Sequence, residues 1–166
     1  KEVINITNDI FSESSPSWSS NGEIIYFTSD RGQNTSTNSM YDVDFSQTDI
    51  FQYSYQTNAV SQITNTEYNE NYPVASSDGN LFYTADYNGI TNIFKHNLSN
   101  NEAFPITNVV TGVQQIDLDS NDNLVFSGFK KRGWDLYIMN NPNSFSEKEI
   151  KPTKFYSNKN RSTDFE

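Results

Sequence analysis

The sequence predicts an all-β protein assembled from repeats of one four-stranded module. Composition, local patterning and a fixed recurrence carry that expectation. Tyr 10, Phe 12 and Trp 2 stand beside 23 Asn, 21 Ser and 14 Thr in 166 residues. Tyr, Phe and Thr favour strands, whereas Asn, Gly and Asp favour turns. A mean hydropathy of −0.74 would suit a disordered chain, but disordered chains are poor in aromatics. The rings here fall in short clusters bounded by turn residues, such as Ile24-Ile25-Tyr26-Phe27 and Leu81-Phe82-Tyr83.

The recurrence fixes the module. Asp49-Ile50-Phe51, Asn92-Ile93-Phe94 and Asp135-Leu136-Tyr137 are spaced by 43 residues. Ile63-Thr64-Asn65 returns as Ile106-Thr107-Asn108, and Leu81-Phe82-Tyr83-Thr84 as Leu124-Val125-Phe126-Ser127, each again 43 residues on. Ser15 to Gly22 matches Asn71 to Gly79 with Gly22 and Gly79 57 residues apart, so the first copy carries an excess of 14. The excess falls between Gly32 and Asp49, a polar stretch without period, which reads as a long surface loop over residues 33–48.

Each element of the second copy follows from local chemistry. Pro73 to Ser76 reads as a short strand, Asp78-Gly79 as a tight turn, Leu81 to Ala85 as the next strand, and Asn88-Gly89 as a second turn. Asn92 to Asn97 and Ala103 to Thr107 complete four strands. Two-residue hairpin turns need positive φ, which Gly, Asn and Asp tolerate. The second strands are continuous apolar runs, as expected of strands buried on both faces. Four strands in about 40–45 residues is the signature of a propeller blade. The chain therefore reads as a partial β-propeller of about three four-stranded antiparallel blades plus a preceding outer strand. Residues 1–8, including Val3-Ile4-Asn5-Ile6-Thr7, are that outer strand. Residues 9–65 are blade one, 66–108 blade two, 109–153 blade three and 154–166 a tail or linker.

The run Pro16-Ser17-Trp18-Ser19-Ser20-Asn21-Gly22-Glu23-Ile24-Ile25-Tyr26-Phe27-Thr28-Ser29-Asp30-Arg31-Gly32, with Asp49-Ile50-Phe51 and Gln62-Ile63-Thr64, resembles a WD40-like repeat of the TolB type, also called PD40. Ser20-Asn21 replaces the family's Pro-Asp, Ala75 stands where it has Trp, and the third copy has Leu118 there and lacks the turn Gly. The resemblance implies a propeller of the TolB-like superfamily, whose members include TolB, propeller domains of peptidases and propellers of envelope proteins. The third copy looks most like bacterial envelope versions, some of which precede an outer-membrane barrel. A periplasmic or extracellular bacterial setting is expected on that basis.

Charge and residue usage exclude several functions. Lys plus Arg is 11 against 21 Asp plus Glu, a net charge of −10. A surface this acidic repels a phosphate backbone, so nucleic acid is not an expected partner. The longest apolar runs are far short of the ~20 residues a membrane helix needs, and no membrane insertion by this segment is expected. There is no Cys, which removes disulfides, thiol catalysis and thiolate metal sites. The chain opens at Lys1 without a leader-like segment and closes on a polar stretch. A piece or processed form of a longer protein is expected.

Candidate functional residues carry competing structural readings. His96 is the only histidine, but its repeat equivalents are Tyr53 and Met139, which share bulk and not chemistry, so a packing role is expected. Asp117-Leu118-Asp119-Ser120-Asn121-Asp122-Asn123 resembles the start of a calcium loop, yet Asp122 and Gly128 stand where that loop needs Gly and Glu, so a structural turn is expected. Asp30-Arg31-Gly32 is expected to brace its blade, and Lys130-Lys131-Arg132 to be a solvated loop or a contact point. No Gly-x-Ser-x-Gly elbow, metalloprotease His pair or phosphate-binding glycine loop is present. Asn-x-Ser/Thr at Asn5, Asn34, Asn97 and Asn160 is what chance gives at this composition. No catalytic, cofactor-binding or metal residue is assigned, no cofactor is expected, and the chain is not expected to be an enzyme.

The expected function is a non-catalytic scaffold for protein–protein interaction, with the 33–48 loop as first contact site and a protein as partner. The alternative is the non-catalytic propeller domain of a larger peptidase or hydrolase. A carbohydrate-lyase propeller is disfavoured by the want of histidines. Since propellers close with four to eight blades, three leave open faces. Those are expected to be met by remaining blades of the same chain or by self-association.

Overall fold

The computed structural model describes residues 2–32 and 45–154, together with Ser157. Among the described residues, eleven strands and one short 3-10 turn, Pro142–Ser144, form the array. The first sheet has the order β1 (Glu13–Trp18), β2 (Ile24–Ser29), β3 (Asp49–Ser54), β4 (Ala59–Gln62). The second runs β5 (Glu70–Ala75), β6 (Asn80–Ala85), β7 (Asn92–Asn97), β8 (Glu102–Pro105). The third holds β9 (Val113–Leu118), β10 (Leu124–Lys130) and β11 (Gly133–Met139). Every pairing is antiparallel between consecutive strands. The protein is an all-β partial propeller.

Repeat-equivalent hydrogen bonds explain the recurring residues. Thr64 Oγ1 accepts from the Ile50 N–H at 2.8 Å, and Thr107 Oγ1 from the Ile93 N–H at 2.9 Å. The recurring Ile-Thr thus ties the fourth strand's end back to the third strand. Asp30 accepts from the Ser12 N–H at 2.9 Å, and Asp86 from the Asn69 N–H at 2.8 Å. Each of these carboxylates satisfies a backbone donor just before its blade's first strand, where the ladder has no acceptor to offer. In the first hairpin turns Gly22 and Gly79 take φ of 72° and 86°. Asp122 takes this place in blade three at 58°, a conformation that Asp tolerates better than most residues.

Packing between blades supplies the core. Tyr26 and Ile50 of blade one meet Leu81, Tyr83, Ala85 and Phe94 of blade two. Phe82, Ile93 and Ile106 on the opposite face of blade two meet Val113, Ile116 and Leu124 of blade three. Both faces of β6 are therefore buried, as its unbroken apolar run requires. The outward face of blade one buries Phe27, Phe51 and Tyr53.

Two expectations need comment. The third sheet has three strands among the described residues, where four were expected. One period after β8 stand Phe145 to Lys148, and these run along blade two instead. The Lys95 ammonium donates to the Asn143 and Phe145 carbonyls at 3.0 and 3.3 Å, and the Lys148 N–H donates to the Pro105 carbonyl at 2.8 Å. Phe145 packs into the blade two–three core and Ile150 into the blade one–two core, so burial at both interfaces outweighs one more ladder. Val3 to Thr7, expected as an outer strand, form no ladder with the described residues, and Val3 is fully exposed. Most of the 33–48 loop and of the 154–166 tail lies outside the described residues.

Candidate functional site

The innermost strands β1, β5 and β9 each carry a bulge in the same place, where the register with the second strand slips between Ser14 and Ser17, between Asn71 and Val74, and between Gln114 and Asp117. Ser15, Tyr72 and Gln115 take φ of 51°, 55° and 52° at these bulges. Such bulges withdraw backbone from the ladder and re-aim side chains. The three together line a groove of about 470 Å³ along the inner edge of the array, with Pro16, Ser17, Pro73, Val74, Ile116 and Asp117 as the remaining wall. The Ser17 hydroxyl donates to the Pro73 carbonyl at 2.6 Å, locking blade one to blade two across its floor. The groove mixes hydroxyl, amide and carboxylate groups with proline and aliphatic surface. That combination suits an extended peptide.

Sequence reasoning did not single out this groove. Ser, Tyr and Gln share no tendency towards positive φ, and the proline that follows Ser15 and Tyr72 is absent after Gln115. The repeat itself was the usable signal, because the three residues are spaced by 57 and 43. Of the run Asp117 to Asn123, only Asp117 reaches the groove. Asp119 instead accepts from the N–H groups of Asn121 and Asn123 at 2.9 and 2.8 Å, and Asp122 accepts from the Ser77 hydroxyl at 2.5 Å. These carboxylates are spent on the turn and on the neighbouring blade.

The remaining candidates are apart from one another. His96 is buried, and its Nε2 lies 2.9 Å from Asn101 Oδ1 with the ring edge-on to Tyr83. Arg31 is buried with Asp9 at 3.1 Å and is paired with Glu13. Its guanidinium also sits 5.2, 5.7 and 5.4 Å from the ring centres of Phe11, Phe27 and Phe51. Lys131 and Arg132 form the two-residue tip of the β10–β11 hairpin with φ of 47° and 77° and point into solvent.

One buried acidic pair escaped the sequence reading. Glu70 occupies in blade two the place of Glu13 in blade one, but Tyr87 stands where Arg31 would answer it. The Thr66 hydroxyl donates to Glu70 Oε1 at 2.7 Å, Oε2 meets no hydrogen-bond geometry among the described residues, and Thr64 and the Asp49 carboxyl are its neighbours. Burial, with the Asp49 charge adding to it, pushes the Glu70 carboxyl up to about 8. Burial also raises Asp49, against the Thr66 N–H and the Gln62 amide, which favour its charged form. Tyr83 is raised by burial and then by Glu70. The pair is sealed between blades and does not line the groove.

No family model and no curated protein matches the sequence. Solved structures do. A putative TolB from Agrobacterium tumefaciens matches 82% of this chain and 48% of its own, with 15% identity and a TM-score of 0.64. TolB from Acinetobacter baumannii matches 84% of this chain and 32% of its own, at 17% identity and a TM-score of 0.57. The fold is that of a TolB-like β-propeller. The TolB-like arrangement also recurs in a puromycin-hydrolyzing peptidase of Mycobacterium tuberculosis, over 84% of this chain and 22% of that one, at 12% identity and a TM-score of 0.57. The chain spans less than half the length of each of these structures.

Proposed function

We propose that this TolB-like segment is a non-catalytic interaction scaffold that holds an extended segment of a protein partner in the groove at its inner edge. The observation that carries the reading is the line of three equivalent bulges, Ser15, Tyr72 and Gln115, opening onto one groove. The buried titratable groups Glu70, Asp49 and His96 lie away from the groove, where Asp117 is the one carboxylate among the lining residues. An envelope setting rests on the resemblance of the repeats to TolB. The likeness to a peptidase structure supports a second reading, in which the segment is the propeller of a larger hydrolase and orients its substrate.

The test is selection of extended peptides against the folded chain, followed by titration of the binders. Asp117→Lys should weaken them at least tenfold with the melting temperature nearly unchanged, since Asp117 is exposed. Tyr72→Ala should weaken them as much and lower the melting temperature, since Tyr72 also packs against the blade two–three core. Binders indifferent to both substitutions would defeat the groove reading. Hydrolysis of a peptide or ester by the chain, lost in His96→Ala, would defeat the scaffold reading.

A further inference from the structure

Residues 143–153 cross the outer rim of blade two and are held there chiefly through their own main chain. The Lys95 ammonium takes the Asn143 and Phe145 carbonyls. The Asn108 amide donates to the Glu149 carbonyl at 3.1 Å, and the Asn88 amide to the Lys151 carbonyl at 3.3 Å. In return the Lys148 and Thr153 N–H groups donate to the Pro105 and Asn88 carbonyls at 2.8 and 3.0 Å. The Lys95 contact is particular to blade two. Gln52 and Ile138 stand at its place in the other blades, and Gln52 donates instead to Ser61 of its own sheet at 3.0 Å. Asn88 is buried, so it is a fixed receiving group and not a loose turn residue. Phe145 packs into the blade two–three core and Ile150 into the blade one–two core, which gives the segment one anchor in each interface.

We infer that residues 143–153 are a strap that clasps blade two to both of its neighbours and lifts off as one unit while the sheets stay folded. The middle of the strap is thinly attached. Glu147, Lys148 and Glu149 are exposed and bridge a cavity of about 310 Å³ whose other wall is Tyr87, Phe94, Ala103 and Pro105. No row of ladder bonds forms along β8, since the Lys148 N–H makes the single main-chain bond from the strap to that strand among the described residues. A segment with few buried contacts and exposed backbone bonds opens at lower free energy than the core sheets. The anchors make the opening concerted. Only residues 146–149 separate Phe145 from Ile150, so neither ring nor aliphatic chain can leave its core far behind the other. Lifting the strap bares the β8 edge and the cavity, and removes a tie from both interfaces at once. The closed strap is the state that holds the three blades rigid. The inference is independent of the groove reading, since the groove lies at the inner edge.

Hydrogen exchange of the whole folded chain, followed amide by amide, is the test. The Lys148 and Thr153 amides report the strap. The Ile93 and Ile106 amides, bonded to Thr107 Oγ1 and to the Ile93 carbonyl, report the sheet. The protection factors of Lys148 and Thr153 should agree within about threefold and lie at least about a hundredfold below those of Ile93 and Ile106. Lys95→Gln, which copies the residue at this place in blade one, should lower both strap factors by about tenfold and leave Ile93 unchanged. Ile150→Ala should do the same from the other anchor. Strap amides as protected as Ile93, or not protected at all, overturn the inference. So do Lys148 and Thr153 amides that open independently, or substitutions that lower the protection of Ile93 as much as that of the strap.

Discussion

Replacing Glu70 by Gln should remove most of the pH dependence of stability on the alkaline side. In the folded chain the Glu70 carboxyl holds its proton up to about 8, against 4.5 for an unperturbed Glu. Between those values the unfolded chain binds fewer protons than the folded one, so stability falls as pH rises. The full contribution is present below about 4.5 and is lost as pH passes through about 8. At about 1.4 kcal/mol per pH unit, this interval bounds the loss at ~5 kcal/mol. Relaxation and water entry reduce such penalties, so ~2–3 kcal/mol is the working expectation. Asp49 shifts in the same direction and steepens the fall. Gln keeps an acceptor for the Thr66 hydroxyl, adds an amide donor for Asp49 and carries no charge. Urea unfolding at pH 5, 7 and 9, followed by tryptophan fluorescence, gives the comparison. Glu70→Gln should match the wild type within ~1 kcal/mol at pH 5 and exceed it by ~2–3 kcal/mol at pH 9. Parallel pH profiles for the two proteins would refute the argument.

Tyr87→Arg should restore to blade two the counter-charge that Arg31 provides in blade one. It loses an edge-on Tyr68 contact with ring centres 4.7 Å apart, worth ~1 kcal/mol, so the gain in urea midpoint should appear at pH 9 and vanish at pH 5. Arg31→Met leaves Glu13 and Asp9 without their cation and opens the cap over Phe27 and Phe51. A loss of ~3–5 kcal/mol is expected by chemical denaturation. Thr64→Val strips the acceptor from the buried Ile50 N–H, at ~1–3 kcal/mol, whereas Thr64→Ser should recover most of it. Hydrogen exchange at the Ile50 amide reports that change directly.

Much of the fold is legible because the repeat encodes local acts. Asp78-Gly79 makes its turn wherever it sits, and Ile106-Thr107 supplies the hydroxyl that the Ile93 amide needs. β7 was expected at Asn92 to Asn97 and is found there. The long loop and the tail cannot be compared, since they fall largely on residues outside the described ones. The candidate site was less legible. A bulge is set by a bond to the neighbouring strand and by the approach of the next blade, not by the preference of Ser, Tyr or Gln, so no window of sequence contains it. Glu70 likewise reads as an ordinary surface acid until β5 is placed between two blades.

The residues in order thus determine the all-β class, the 43-residue period and the hairpin turns, because each depends on neighbours within a few positions. Tertiary structure alone decides three other matters: that Phe145 and Ile150 run across blade two, that Arg31 is buried among Phe11, Phe27 and Phe51, and that Glu70 faces Asp49 with no cation beside them among the described residues. Those outcomes turn on which apolar surface is covered and how far a charge lies from water, and both are properties of the packed array.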